Sequence, residues 1–412
     1  MMSKNKFIYK TLLPKRENYF YPLTDDNLSK QDLNAGIEVL RSGRITMGEK
    51  TRIFESNFAK KLNAKYALMV NSGSSANLLA TFASCNPMRK NRFKNGDIAI
   101  IQALCWPTSL WPLVQAGLKI KFVDIDSRTL NVKAEEIIKN VTKKTKVILI
   151  INVLGLSTDI EKIRKFCNLK KIILIEDNCE ALGAKYNKKY LGTFGDFSSF
   201  SFFYSHQITS GEGGMITCNN KTDYEILKSL RSHGWSREKK ISNKYPNLDP
   251  RYIFINSGFN LRPTDIQAAI GISQFKKLEK FKKIRNDNRN KIIQNLISHP
   301  KWKNQFSFIN VNKKILPSYM VLPIMLNPKY EKKKIKFINY IESMGLQTRP
   351  VISGNFTNQP SAKLYKLNYN SKKFLEAEKV QKLGFVIGLP AKKIRRKSIN
   401  FIIRMLLSID SL

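Results

Sequence analysis

Short apolar runs alternate with longer helical patterns from about residue 50 to residue 235, and this alternation restricts the fold more than any other feature. The runs have strand length and consist almost entirely of Val, Ile, Leu and similar residues: YALMVN, DIAII, KIKFVDI, KVILIINV and KIILIED. Strands with continuous apolar residues are usually covered on both faces by helices. The sequence therefore predicts an α/β protein with a mainly parallel sheet.

A smaller unit is expected after this sheet. Helix-period sequence runs from about Thr264 to Ile297, a strand pattern YMVLPIML begins near Tyr319, and the chain ends in a helical pattern. We expect an N-terminal arm (1–30), a large domain (31–295) and a small C-terminal α/β domain (296–412). The charge run AKKIRRKS at 391–398 is interpreted as the exposed start of a helix.

The formal net charge of +41 raises the question of a nucleic-acid partner. Lysines are spread over the whole length and greatly outnumber arginines, which are the usual base-reading residues. This distribution favours a solvated basic surface over a nucleic-acid site. Such a surface would also attract an anionic nucleotide-sugar.

Neither export nor a metal centre is predicted. The first residues lack an apolar stretch of signal-peptide length, and no 18-residue apolar run follows, so a cytoplasmic location without membrane insertion is expected. Five cysteines, widely separated and without a C-x-x-C spacing, indicate reduced thiols and no metal site: Cys85, Cys105, Cys167, Cys179 and Cys218.

Three segments are candidates for chemistry. In NSGSSANLLATFA, which opens a helix after a strand, backbone amides and the Ser74 and Ser75 hydroxyls are suited to bind an anion, although such a turn also serves as a simple helix cap. Asp177 ends a buried strand, where ligands bind in open α/β sheets; the alternative is a helix N-cap. His206 stands between a serine-rich strand and a Gly-rich turn, where either a catalytic or a structural role is open.

Taken in order, the motifs resemble the DegT/DnrJ/EryC1/StrS family of sugar aminotransferases. The resemblance runs from about Asp32 to the C-terminus and rests on these segments: MGEKTRIFESNFAKKLNAKYALMVNSGSSANLLA, FVDIDSRTLNV, IEDNCEALGAKY, GTFGDFSSFSF, GEGGMI and SGFNLRPTDIQAAIG. It implies the fold type I of pyridoxal-phosphate (PLP)-dependent transferases, with a seven-stranded sheet in the large domain.

One departure from the family pattern changes the implied activity. Aminotransferases of this family carry a lysine, covalently linked to the cofactor, immediately before the segment that matches QITSGEGG, and this chain has His206 there. Imidazole cannot form that link, so the cofactor would be held noncovalently, most stably as pyridoxamine phosphate (PMP). The same substitution marks the family's 3-dehydratases of 4-keto-6-deoxy nucleotide sugars.

The resemblance also implies a substrate and a mechanism. The segments FYSHQI, EDNCEALGA, RSHGWSRE and RPVISGNF are similar to those members of the family that act on a GDP-linked sugar in the colitose pathway. The expected substrate is therefore GDP-4-keto-6-deoxy-D-mannose. The expected process is deoxysugar synthesis for surface lipopolysaccharide O-antigen. Some 3-dehydratases of the family hold an iron-sulfur cluster on closely spaced cysteines after the Gly-rich turn. This chain has no cysteine after Cys218, so an enzyme without such a cluster is expected. His206 would act first as base and then as acid, and L-glutamate would regenerate PMP.

Supporting roles carry over by position. Asp177 would pair with the pyridinium nitrogen, Trp106 would stack on the ring, and Glu180 would lie near the ring hydroxyl. The phosphate would be held by Gly73, Ser74, Ser75, Ser201 and, from the second subunit of a homodimer with a shared active site, Asn260. Substrate contacts are expected from Thr46, Met47, Gly48, His233, Arg349 and Asn355. Purely structural alternatives remain open: Trp106 in the core, Asn260 capping a turn, and structural roles for the substrate set.

Two rival functions remain. A sugar aminotransferase is possible in principle if another lysine serves, for example Lys185, Lys188 or Lys189. The second rival is a catalytically inactive relative that serves as a basic scaffold or a nucleic-acid-binding protein. Asp177, Trp106 and the serines of the phosphate turn argue against an inactive scaffold, because a binding module needs no electron sink.

Overall fold

The computed structural model describes residues 19–24, 28–236, 244–367 and 373–412, so the predicted N-terminal arm lies mostly outside the described residues. The α-helices of the described part are α1 (Lys30–Arg41), α2 (Glu49–Leu62), α3 (Gly73–Ser84), α4 (Pro107–Gln115), α5 (Ala134–Asn140), α6 (Ile160–Lys170), α7 (Lys221–Arg231), α8 (Asp265–Phe275), α9 (Leu278–Ile297), α10 (Lys334–Ser343), α11 (Pro360–Leu364), α12 (Leu375–Leu383) and α13 (Arg396–Leu407). Its strands are β1 (Tyr66–Val70), β2 (Ile98–Gln102), β3 (Lys119–Val123), β4 (Thr145–Ile151), β5 (Ile173–Asp177), β6 (Lys185–Tyr186), β7 (Lys189–Tyr190), β8 (Phe197–Ser201), β9 (Gly214–Cys218), β10 (Phe306–Phe308), β11 (Ile315–Leu316), β12 (Val321–Leu326), β13 (Thr348–Arg349) and β14 (Gly384–Gly388).

The central sheet has seven strands in the order β1-β9-β8-β5-β4-β2-β3. Strand β9 runs antiparallel to both of its neighbours, whereas β8, β5, β4, β2 and β3 pair in parallel. Strands β1 to β5 coincide with the five apolar runs, and β5, β8 and β9 are buried at every residue. The predicted mainly parallel α/β sheet is therefore confirmed, with the carboxyl ends of β5 and β8 side by side.

Strand β8 is buried although three of its five residues are serines. The Ser198 hydroxyl donates to the carboxylate of Glu176, and the Ser199 hydroxyl donates to the side-chain oxygen of Asn77 at 2.6 Å. Buried hydroxyls need such partners, because an unpaired polar group costs about 1–3 kcal/mol inside a protein. The serine-rich sequence is thus a central strand whose polar side chains are satisfied by neighbouring elements.

The smaller unit contains an antiparallel sheet in the order β10-β12-β14-β13. Its first strand, β10, lies upstream of the predicted YMVLPIML, which forms β12. The segment 19–24 joins this unit, since Tyr21 bridges to Leu346 and donates its hydroxyl to the Gly388 carbonyl. The charge run at 391–398 leads into α13, as expected. The limits of the domains themselves stay a prediction.

Within the part of the chain that the structure describes, no helix is both long and apolar enough to cross a membrane. Across the same described residues, no group of three or more His, Cys, Asp or Glu side chains is arranged to hold a metal ion.

Candidate active site

The first turn of α3 faces the carboxyl end of the sheet. Ser72 caps the helix from an extended conformation, and its hydroxyl accepts from the Ser75 N–H at 3.1 Å. The Ser75 hydroxyl donates to the side chain of Asn71 at 2.6 Å, and the Ser74 hydroxyl donates to Thr108 at 2.9 Å. The start of a helix carries unsatisfied N–H groups and the positive end of the helix dipole. This turn is therefore a suitable anion site, with two fixed hydroxyls beside it.

Gly73 lets this turn approach two strand ends closely. A β-carbon built on Gly73 would lie 2.6 Å from Cβ of Ser201, the last residue of β8, and 2.7 Å from Sγ of Cys179, just after β5. Real β-carbons do not approach heavy atoms so closely. The requirement for glycine thus comes from contact between the anion-binding turn, β8 and the end of β5.

Replacing Gly73 by alanine is expected to destabilise the protein and to weaken binding of a phosphate-bearing ligand. The added methyl group must displace Ser201 or Cys179, and overpacking of this kind costs about 1–3 kcal/mol. Thermal unfolding and PLP titration measure both effects. Gly36→Ala is the control, because Gly36 lies in α1 and its nearest neighbour is the flexible Ile270 side chain at 3.2 Å. Unchanged melting and PLP affinity in the Gly73 variant would contradict the predicted crowding.

Asp177 is buried and held by three donors. Its Oδ2 accepts from Asn77 Nδ2 at 2.7 Å and from the Ser109 hydroxyl at 2.7 Å, and its Oδ1 accepts from the Cys179 N–H at 3.0 Å. A turn, not a helix, follows Asp177, so the alternative of a helix N-cap is not what the structure shows. The carboxylate is instead fixed in one orientation at the carboxyl end of β5. The sequence did not lead us to predict roles for Asn77 and Ser109. An asparagine within the apolar pattern of α3 was a usable signal, because a buried amide needs a hydrogen-bond partner.

Helix α4 presents several residues to the same region. Trp106 precedes its first residue, Pro107, and is 55% exposed, so the alternative that Trp106 is a core residue is wrong. The adjacent Cys105 is fully buried and fixes the backbone at this point. Since Thr108 and Ser109 of this helix bond to Ser74 and Asp177, the Trp106 indole stands at the rim of the same site.

Glu180 lies in the turn after β5. Its Oε2 accepts from the Leu154 N–H at 3.1 Å, and its backbone carbonyl accepts from the side chain of Gln207. Burial raises the pKa of the Glu180 carboxyl to about 7, and the nearby Asp177 carboxylate also raises it. Glu180 is therefore a group that can exchange a proton near neutral pH.

His206 lies in the loop that follows β8. Its backbone N–H donates to the Phe203 carbonyl at 3.1 Å, and its ring meets the Phe203 ring edge-on at a centroid distance of 5.8 Å. The ring nitrogen Nδ1 is buried and has no hydrogen-bond partner. Burial lowers the pKa of His206 to about 4, and the charge of Arg285 acts in the same direction. A hydrogen bond to the Ser201 backbone and the charge of Asp177 act in the opposite direction. The imidazole is therefore neutral at physiological pH and has a nitrogen available to accept a proton.

The lowered pKa of His206 predicts a pH-dependent stability. As pH falls from the ordinary value of 6.5 towards 4, the unfolded chain takes up a proton at this residue before the folded chain does, so stability is lost. The variant His206→Asn lacks this group. We expect its melting temperature to fall less than that of the wild type between pH 7.5 and pH 5. Parallel pH profiles of melting temperature in the two proteins would refute this prediction.

Most of the residues predicted to bind substrate lie in the large unit, and the loop 46–48 packs against the start of α8. Thr46 bridges to Thr264, and the Gly48 N–H donates to Asp265 at 2.8 Å, while Met47 lines an adjacent cavity. His233 is exposed in the left-handed region at φ 62°.

Asn260 also lies in the large unit. It bridges to Ser232, and its side-chain oxygen accepts from Arg262 at 3.1 Å. The carbonyl of the next residue, Leu261, accepts from the N–H of Asn71, which also holds Ser75. The exposed Asn260 therefore lies next in sequence to a residue that contacts the anion-binding turn.

Arg349 and Asn355 lie in the smaller unit. Arg349 ends β13, donates to the Thr348 carbonyl at 2.7 Å and lines a cavity that also contains Ser353. The Ser353 hydroxyl donates to the carbonyl of Cys105, next to Trp106. Asn355 has no exposed surface; its Oδ1 accepts from the N–H and hydroxyl of Thr357, and its side-chain nitrogen faces Glu378. These contacts hold the side chain within the fold, and the substrate contact expected of Asn355 stays a prediction.

The lysines of the rival aminotransferase interpretation lie elsewhere. Lys185 and Lys189 belong to the hairpin β6–β7, which pairs with β11 in a separate three-stranded sheet. Their ammonium groups stand over aromatic rings, Lys185 over Tyr190 at 4.2 Å and Lys189 over Phe194 at 4.4 Å. Lys188 forms the turn between the two strands. None of the three contacts Asp177 or His206 in the described structure.

The site fits a planar, phosphate-bearing cofactor. An anion-binding helix start, a fixed carboxylate at Asp177, an exposed indole and a buried imidazole nitrogen without a partner converge at the carboxyl ends of β5 and β8. Together with the seven-stranded sheet, they define an α/β protein of the class that binds PLP in fold type I.

The chain belongs to the DegT/DnrJ/EryC1/StrS aminotransferase family, whose pattern it matches over residues 26–403. It is 36% identical over 376 residues to GDP-4-keto-6-deoxy-D-mannose 3-dehydratase from Escherichia coli O55:H7, a match that covers 89% of this chain and 95% of the relative. The resemblance found in the sequence is thereby confirmed.

Two solved structures of similar proteins have the same fold. GDP-4-keto-6-deoxy-D-mannose-3-dehydratase from E. coli with bound hydrated PLP superimposes with a TM-score of 0.85 at 33% identity, covering 94% of this chain and 99% of the other. A histidine-to-asparagine mutant of GDP-4-keto-6-deoxymannose-3-dehydratase with bound GDP-perosamine gives a TM-score of 0.84 at 34% identity, covering 94% and 100%.

Proposed function

We propose that the protein is a PMP-dependent 3-dehydratase of a GDP-linked 4-keto-6-deoxyhexose, with GDP-4-keto-6-deoxy-D-mannose as the substrate. The observation that carries the proposal is His206, which follows β8 where the aminotransferases of this family have lysine, with a buried and unpartnered Nδ1. Imidazole moves protons at neutral pH but forms no covalent link to the cofactor. The similarity to GDP-4-keto-6-deoxy-D-mannose 3-dehydratases supports the choice of substrate.

The residues of the large unit would hold the cofactor. Gly73, Ser74, Ser75 and Ser201 would bind its phosphate, Asp177 would keep its ring nitrogen protonated, and Trp106 would cover the ring. Glu180, with a carboxyl pKa near 7, would share a proton with the ring hydroxyl. When bound, such a cofactor supplies an electron sink next to the sugar carbonyl.

His206 would serve as both base and acid. Its neutral ring accepts a proton during activation of the substrate, and the resulting imidazolium donates a proton to the hydroxyl that leaves from C3 of the sugar. Donation of that proton would return the imidazole to its neutral form, which burial favours by lowering its pKa. A single side chain thus balances the proton that is removed and the proton that departs with water.

The remaining assignments concern partners. L-glutamate would be the amino donor that restores PMP, and a homodimer would bring Asn260 of a second subunit to the phosphate. Thr46, Met47, Gly48, His233 and Arg349 would line the sugar-nucleotide path, with Arg349 suited to a diphosphate. The enzyme would act in the cytoplasm, in deoxysugar synthesis for surface polysaccharide. Asn355, which lies in the same smaller unit as Arg349, would contribute to this path as well.

The proposal is tested by incubating the protein with PLP, L-glutamate and a panel of GDP-, CDP- and dTDP-linked 4-keto-6-deoxy sugars. Release of ammonia and a 3-deoxy product from the GDP sugar is expected. Borohydride treatment of the PLP-loaded protein should leave no covalent pyridoxyl-lysine. A stable adduct would indicate the aminotransferase alternative, and absence of both PMP binding and ammonia release would indicate an inactive relative.

A further inference from the structure

Arg285 is a buried charge without an acidic partner. It lies on α9 and is 2% exposed. Its Nη1 donates to the Gln207 carbonyl at 2.8 Å, and its Nε donates to the Leu389 carbonyl at 3.2 Å. No carboxylate of the described residues bonds to this guanidinium. Burial lowers the pKa of Arg285 to about 10, so the side chain stays charged at neutral pH.

Such a residue is costly to retain. A buried ion without a counter-ion loses its hydration, and well-packed apolar residues of similar size are often at least as stable. The two carbonyls compensate only in part. A functional reason is therefore more consistent with this arrangement than a contribution to stability.

The acceptor carbonyl belongs to the residue directly after His206. The Gln207 side chain is also tied down, because its amide nitrogen donates to the carbonyls of Glu180 and, at 3.0 Å, Ser318. On the other side, the His206 N–H closes the turn to Phe203. The peptide between Gln207 and Ile208, one residue beyond the imidazole, is thus bonded to α9 through the Arg285 guanidinium, which also reaches Leu389 of the smaller unit.

We propose that Arg285 is a positioning residue for His206, because it fixes the carbonyl of the next residue, Gln207, and places a positive charge near the ring. This inference rests on the proposed role of His206 as acid and base. The charged groups that act on the ring are Asp177, from β5, and Arg285, from α9; Asp177 favours the protonated imidazole and Arg285 disfavours it. Arg285 thereby adds to burial in keeping His206 in the form that accepts a proton.

The test uses the full-length protein and does not depend on turnover. The chain has three histidines, so NMR of protein with labelled histidine resolves the titration of His206, with His233 and His299 as internal references. Arg285→Met, similar in length and uncharged, is expected to raise the titration midpoint of His206, and Arg285→Lys is expected to stay closer to the wild type. Lys282→Met is the matched control, because Lys282 is a buried cation one turn earlier on α9 that bonds Gly183 and Glu279 instead.

Activity provides the second measurement. If the dehydration proceeds as proposed, Arg285→Met should lower kcat by roughly 10-fold to 100-fold with little change in KM, since misplacement of a reacting group costs rate more than affinity. An unchanged His206 titration in a folded Arg285→Met protein, or an equal change in Lys282→Met, would overturn the inference. Because the titration is read without substrate, failure of the proposed dehydration leaves this result interpretable.

Discussion

Replacing His206 by asparagine is expected to lower the dehydration rate by roughly 10²-fold to 10⁴-fold, the range that a positioned acid or base contributes. The asparagine side chain is of similar polarity but cannot accept and return a proton near neutral pH. The contacts that would bind the cofactor within this chain come from α3, α4 and the ends of β5 and β8, and not from His206, so PLP affinity should change little. Single-turnover assays with GDP-4-keto-6-deoxy-D-mannose and spectrophotometric titration with PLP measure the two quantities separately.

The matched control for this variant is His299→Asn. His299 follows α9, and its Nδ1 accepts from the Lys301 N–H at 3.2 Å in the turn after this helix. The control should retain the wild-type rate. A near wild-type rate in His206→Asn would remove His206 from its assigned role, whereas loss of PLP binding in that variant would show that the residue holds the cofactor and not only the proton.

The fold was predictable where the sequence pattern is local. Continuous apolar runs predict β1 to β5, because strands covered on both faces consist mostly of apolar residues. Strand β8 is different, since its serines are buried only because Glu176 and Asn77 accept their hydroxyls. Those partners lie on other elements of the fold, so they cannot be predicted from the pattern of residues within the strand.

The same distinction applies to the site. Asp177 and His206 are recognisable from their positions after strands, and the resemblance to the family assigns their roles. Asn77, Ser109 and Arg285 are not recognisable in this way, because each reaches its partner from a helix far away in the sequence. Asn355 shows the reverse, since it matches a substrate-lining region in the sequence and yet caps the short 3-10 helix Phe356–Asn358.

The second large effect is expected from Asp177→Asn. We expect the dehydration rate to fall by roughly 10²-fold to 10³-fold, as when one preorganised electrostatic group is removed from an active site. A neutral amide cannot hold a proton on the ring nitrogen of the cofactor. If the amide oxygen keeps the bonds from Asn77 and Ser109, its NH₂ group faces the Cys179 N–H, which now donates to the other carboxylate oxygen at 3.0 Å. PLP affinity should therefore fall together with the rate.

Asp223→Asn separates this effect from a general loss of stability. Asp223 is a similarly buried carboxylate, but it pairs with Arg89 at 2.9 Å at the start of α7. Removing one partner of such a pair destabilises the fold, so the control should melt at a lower temperature and still bind PLP. If Asp177→Asn loses only stability and keeps its rate and PLP affinity, the carboxylate serves the fold alone. The three donors would then fix the carboxylate for packing only. Its proposed role of keeping the ring nitrogen of the cofactor protonated would have to be abandoned.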